Sequence, residues 1–138
     1  MTGQPDLFSV RGRHALVVGG TRGIGRAIAW RLASQGARVW ANFIRDVTSA
    51  DRLANEAQAA GLTLQTLRAD VTSAKGMDEI ATLAKGAAAP VSIIGFAAAT
   101  GVHKPLEQLT TRHFDWTFAL NVRAFFDLVQ RLSPTMPS

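Results

Sequence analysis

Apolar positions along this chain fall into two kinds of block: short runs of neighbouring apolar residues, and longer stretches where they recur every three or four positions. His14-Ala15-Leu16-Val17-Val18 is a compact apolar run, as expected of a strand buried on both faces. A glycine-rich segment from Gly19 to Gly25 follows. Ile24, Ala27, Ile28 and Leu32 then lie on one face of a predicted helix that Gly36 ends. Arg38 to Ile44 reads as a second strand, and Ser49 to Ala60 as a second helix stopped by Gly61. Thr63 to Arg68, carrying Leu64 and Leu67, reads as a third strand. Asp70-Val71-Thr72-Ser73 is a turn and N-cap signal ahead of a helix reaching about Lys85. Val91 to Ala97, after Pro90, is a fourth strand. A polar loop with Gly101 and Pro105 leads to a long helix from about Thr111 to Leu132, whose apolar row is Phe114, Phe118, Phe125 and Leu128.

The order β-α-β-α-β-α-β-α predicts the α/β class, a Rossmann-like, doubly wound parallel sheet with helices on both faces. No repeat, linker or low-complexity tract divides residues 1–138, so one domain is expected. Composition agrees, with 47% hydrophobic and 18% charged residues. No apolar run approaches the roughly 20 residues that span a bilayer. Met1 to Val10 has neither the basic start nor the apolar core of a secretory leader. The absence of cysteine excludes disulfides and thiolate catalysis. A soluble, cytoplasmic protein without a membrane partner is the expectation.

The formal charge of +5 reflects fifteen basic residues, all arginine except Lys75, Lys85 and Lys104. They are scattered, and aromatics do not alternate with them, so no nucleic-acid partner is expected. A few arginines meeting an anionic ligand suit the pattern better, because the planar guanidinium donates two parallel hydrogen bonds to phosphate.

Val18-Gly19-Gly20-Thr21-Arg22-Gly23-Ile24-Gly25 sits between a buried strand and an amphipathic helix. That context turns a weak glycine triplet into a strong dinucleotide-binding signal. Gly19 permits the tight turn, Gly23 lets backbone approach a pyrophosphate, and Gly25 lets the helix pack closely on the strand. The first N–H groups of the helix, including those at Thr21 to Gly25, then face the phosphates. The end of the second strand, Trp40-Ala41-Asn42-Phe43, lacks the acid that holds the ribose hydroxyls of NAD. Arg22 and Arg45 are within reach of a 2′-phosphate, which favours NADP(H). Asp46 is the competing observation and is expected to begin the loop.

The spacing Gly-x-x-x-Gly-x-Gly resembles the short-chain dehydrogenase/reductase family, with Val18 where the family usually has threonine. Asp70-Val71 resembles the family's acidic pair after the third strand, where the carboxylate meets the adenine. Asn42 to Arg45 looks like its cofactor-selecting segment, and Asn121 matches the asparagine that holds a proton-relay water. Gly101-Val102-His103-Lys104-Pro105 and His113-Phe114-Asp115-Trp116-Thr117 resemble the short-chain enoyl- and 3-oxoacyl-acyl-carrier-protein reductases. Phe96-Ala97-Ala98-Ala99 stands where the family has Asn-Asn-Ala-Gly, lining the adenine-ribose pocket. The resemblance thus implies a cofactor set of Gly19, Thr21, Arg22, Gly23, Ile24, Gly25, Asn42, Arg45, Asp70, Val71 and Ala97. It also implies hydride transfer from NADPH to an acyl thioester.

The family's proton donor is a tyrosine with a lysine four residues later and a serine on the preceding strand. These 138 residues hold no tyrosine, Lys75, Lys85 and Lys104 lie in no such spacing, and Ser133 and Ser138 come at the end. Asn121 is then the one catalytic-type residue, latent without its partners. His103 lies on the ligand side of the sheet and reads as a solvated loop residue, His113 as a surface or capping residue, and His14 starts the first strand at the far end. Three scattered histidines give no metal site. Two readings follow. The chain is the cofactor-binding half of a reductase, ending before the Ser/Tyr/Lys segment and completed by self-association or a complementary chain. Alternatively, it is a non-catalytic nucleotide-binding or interaction module.

Overall fold

All five residues of the first strand, β1 (His14–Val18), are buried, and the rest of the chain is organised around them in a computed structural model that describes residues 6–137. Of the segment Met1 to Val10, residues 1–5 lie outside the described residues, as does Ser138. Strands β2 (Arg38–Phe43), β3 (Leu64–Arg68) and β4 (Val91–Phe96) join β1 in one sheet of order β3-β2-β1-β4, with every pairing parallel. The predicted doubly wound α/β sheet is thus the observed one.

Alternation along β1 divides the core in two. Ala15 and Val17 meet helices α1 (Gly23–Ser34) and α2 (Val47–Ala59), through Ala29, Ala33, Leu53 and Ala57. Leu16 and Val18 meet helices α3 (Ala74–Gly86) and α5 (Ala124–Leu132), through Met77, Ile80, Ala84, Ala124, Leu128 and Leu132. The second, third and fourth helices each start at a recognisable side-chain cap, whereas α5 continues from the preceding turn without one. Asp46 accepts from the Ser49 N–H for α2, Ser73 from the Gly76 N–H for α3, and Thr110 from the His113 N–H for α4 (Thr111–Phe118).

Two helical faces differ from expectation. The buried row of α1 is Gly25, Ala29 and Ala33, while Ile24 and Ile28 are exposed. Small residues let α1 lie close against β1, and bulkier ones cannot occupy that line. The predicted single helix from Thr111 to Leu132 is interrupted by a wide π-type turn over Ala119–Arg123. A π turn takes in one residue more than an α turn, which rotates everything beyond it around the axis. Beyond it the buried row is Ala124, Leu128 and Leu132, so Leu128 is buried as expected while Phe125 is exposed. Phe114 and Phe118 precede the turn and lie on α4, none of whose residues is buried. Among the described residues no helix is long and apolar enough to cross a membrane.

Candidate functional site

The chain runs outward from β1 to β2 and β3, then returns to place β4 on the other side of β1. Strand order reverses between β1 and β4, and the crevice beyond the carboxyl ends of those strands is where ligands bind in such sheets. Strand register brings four segments to that edge. Val18 pairs with both Asn42 and Phe96, and Phe43 with Arg68. The ladder continues into the loops: Gly20 N–H donates to Asn42 O at 2.9 Å, Ala97 N–H to Val18 O at 2.9 Å, and Ala69 N–H to Phe43 O at 3.0 Å. The glycine turn, the Arg45–Asp46 loop, the Asp70 turn and the loop after β4 therefore share one rim.

The glycines divide into two kinds by what surrounds them. A Cβ on Gly19 (φ +71°) would stand 2.8 Å from Ala98 N, and one on Gly25 only 2.0 Å from Gly19 O. Both positions are sealed by the protein's own backbone. Gly23 (φ +53°) has nothing within 4 Å of its would-be Cβ, so the turn opens outward there. The first N–H groups of a helix have no intrahelical partner. The Arg22 side chain makes no capping bond to α1, and the first turn of α1 carries no acidic residue. Thr21 is buried beneath the turn. The apolar Ile24 side chain, 78% exposed, projects from the first turn of α1. An uncapped, positively polarised helix end with a glycine backbone open to solvent suits an anionic diphosphate.

At the next strand end Asn42 is only 3% exposed, and its Nδ2 donates to Ala69 O at 3.0 Å and Leu67 O at 3.2 Å. Its amide holds the end of β2 to the segment entering Asp70. Asp70 is fixed in turn, its Oδ1 accepting from the Thr72 N–H at 2.9 Å and the Thr72 hydroxyl at 2.6 Å. Val71 is buried against α3 and α5. Arg45 is exposed on the loop past β2, and among the described residues no ion pair engages it. Arg22 is 73% exposed and pairs with Asp46 at 3.6 Å. Asp46 does not simply begin a loop: it is the N-cap of α2. Hydrogen bonds from the Ser49 N–H and hydroxyl lower its carboxyl from the ordinary carboxylate value against the opposing effect of desolvation, with smaller help from Arg22 and then Arg52. An Asp directly before a helical pattern is a start signal, and it could have placed that helix two residues earlier.

Across the crevice Asn121 lies in the π turn. Its Nδ2 donates to Thr100 O at 2.8 Å and its Oδ1 accepts from the Thr100 N–H at 2.9 Å. The side chain thus grips the loop after β4 through both backbone groups of one residue, a partner 21 positions away that no local pattern announces. Phe96 packs edge-on against Phe125 with ring centroids 5.4 Å apart. The segment Phe96 to Ala99 is apolar, half-buried through Ala98 and exposed at Ala99. His113 closes the capping box with Thr110, and His103 is exposed. His14 is buried against Trp40 at the opposite end of the sheet.

Residues 13–138 match the family model described as short chain dehydrogenase. The chain belongs to the short-chain dehydrogenase family. A hydroxynaphthalene reductase-like protein of Metarhizium robertsii is 33% identical over 122 residues, which are 88% of this chain and 46% of that protein. Among solved structures, a blue fluorescent protein from a metagenomic library in complex with NADPH superimposes with a TM-score of 0.85. It is 30% identical, over 94% of this chain and 53% of that one. A 3-oxoacyl (acyl-carrier-protein) reductase from Agrobacterium tumefaciens C58 with NADP bound gives a TM-score of 0.78 and 32% identity, covering 94% of this chain and 49% of that one. As a short-chain dehydrogenase, the chain spans about half the length of the relatives it matches.

Proposed function

We propose that this chain is the cofactor-binding half of a cytoplasmic NADP(H)-dependent oxidoreductase. The observation that carries this reading is the open glycine turn: an uncapped α1 whose Gly23 backbone faces empty space, with Arg22 beside it. In this reading the N–H groups of Thr21 to Gly25 take the pyrophosphate, with Gly19 as the tight turn. Arg22 and Arg45 take the 2′-phosphate. Asn42 steadies the Asp70–Val71 segment beside the adenine, Ala97 lines the ribose side, and the exposed Ile24 offers an apolar surface to the nicotinamide end. Two similar structures hold NADPH or NADP, which supports the choice of cofactor. When bound, that cofactor supplies hydride. This chain's own residues bind and orient it, and Asn121 holds the facing loop.

Fluorescence titration with NADPH and NADH tests the reading. Arg22→Ala should weaken NADPH binding about tenfold or more, the range of a lost charge-assisted hydrogen bond, and leave NADH nearly unchanged. Equal binding of both cofactors by the parent chain would undo the assignment.

For the whole reductase we attach an enoyl- or 3-oxoacyl thioester as substrate, supported by the named activity of one similar structure. Self-association is part of the same proposal. Phe114, Phe118, Val122, Phe125 and Phe126 are exposed along α4, the π turn and α5, with Phe114 and Phe118 stacked at 4.3 Å. A patch of this kind suits a second copy of the chain better than water. Phe118→Asp should shift the mass measured by light scattering from a multiple of the chain to a single chain. A parent chain that is already monomeric would refute this part.

One observation favours a non-catalytic module instead. The family's amides are replaced by Phe96 and Ala97, and Phe96 packs against Phe125 and the core beneath α3 and α5 where an amide would offer hydrogen bonds. Sequencing the gene past codon 138 separates the two readings. A continuing frame with Ser and Tyr-x-x-x-Lys supports the reductase.

A further inference from the structure

The contact between Arg22 and Asp46 spans the rim from the glycine turn to the start of α2, and its two ends are held differently. Asp46 is the fixed end. Its Oδ1 accepts from the Ser49 N–H at 2.9 Å and its Oδ2 from the Ser49 hydroxyl at 2.8 Å, and its side chain is 33% exposed. Arg22 is the free end, 73% exposed, with Nη1 3.6 Å from Asp46 Oδ2 and no capping bond to α1. An ion pair this exposed is weak and readily exchanged.

We propose that Asp46 sets how strongly the site prefers a 2′-phosphate, by competing with that phosphate for Arg22. The inference rests on the NADP(H) reading above and deepens it. A phosphate carries up to two negative charges at neutral pH. On entering the rim, it must draw Arg22 away from a carboxylate that the cap of α2 prevents from retreating. It then sits within a few ångströms of that carboxylate's charge. Asp46 thus opposes the phosphorylated cofactor twice, while the ribose hydroxyls of NADH meet neither cost. Arg52, whose charge also favours the carboxylate, offsets part of the repulsion. The charge of Asp46 and its capping role are separable, because Asn caps a helix about as well as Asp.

Asp46→Asn in the full chain is therefore the informative variant. NADPH should bind roughly fivefold more tightly, in line with removing one charge near a phosphate in a mostly aqueous setting, with NADH changed less than about twofold. The thermal melt should stay close to the parent's, which shows that the cap persists. Unchanged or weaker NADPH binding in Asp46→Asn, while Arg22→Ala still weakens NADPH, overturns this inference and leaves the NADP(H) reading standing. An equal gain for both cofactors, or a selective loss of NADH binding, also overturns it, the latter by making Asp46 a ribose ligand. If Arg22→Ala leaves NADPH binding intact, or the parent chain binds no NADPH, the underlying reading fails and the inference with it.

Discussion

A Gly25→Ala chain is expected to unfold at a much lower urea concentration than the parent, with a loss of about 3 kcal/mol or more, the upper range for overpacking. The added methyl would stand 2.0 Å from Gly19 O, 2.8 Å from that carbonyl carbon and 3.1 Å from Ala97 Cβ. None of these atoms is the end of a flexible side chain. Gly19 cannot move aside, because its own face already rests on the backbone of Ala97 and Ala98. Helix α1 cannot slide away without lifting the buried Ala29 and Ala33 from β1 and β2. The clash must therefore be relieved by parting α1 from the sheet along the line where they lie closest. Circular dichroism against urea measures the loss. A variant melting within about 0.5 kcal/mol of the parent, as ordinary surface substitutions do, would show that this packing is looser than the geometry implies.

Much of this architecture was legible because local and global preferences coincide. Ala15 to Val18 are apolar and all five residues of β1 are buried, so no alternative competed with a central strand. Ser73 and Gly61 mark helix boundaries by chemistry that acts within a turn. The misread faces have different causes. Counting apolar bulk along α1 selects Ile24, Ala27, Ile28 and Leu32, whereas close contact with a sheet selects Gly25, Ala29 and Ala33 for their smallness. That row was visible at four-residue spacing, but size rather than hydropathy reveals it. The π turn at Ala119–Arg123 left no such trace, since its extra residue breaks the phase of the aromatic row without altering its composition. In the site, the glycine turn was readable because each glycine answers a backbone demand. The grip of Asn121 on Thr100 and the pairing of Arg22 with Asp46 were not, because they join residues that only the finished sheet brings together.

Gly23→Val should have the opposite signature from Gly25→Ala, with the fold kept and the ligand lost. The backbone at Gly23 has φ +53°, so a valine there costs about 1–2 kcal/mol of left-handed strain, which a sound core can absorb. No protein atom lies within 4 Å of the new Cβ, so nothing in the fold collides with it. What it would fill is the space over the first turn of α1, where a pyrophosphate must come close enough to accept backbone N–H bonds. Losing two charge-assisted bonds of that kind corresponds to roughly a hundredfold weaker NADPH binding or more. NADPH and NADH should suffer alike, since both carry the pyrophosphate, and this separates the variant from Arg22→Ala. Melting and titration on the same preparation decide the matter. Unchanged NADPH affinity would remove the pyrophosphate from this turn altogether. Loss of the fold together with binding would make Gly23 a packing residue like Gly25. A valine chain that melts near the parent and binds neither cofactor is what an open glycine at an uncapped helix end requires.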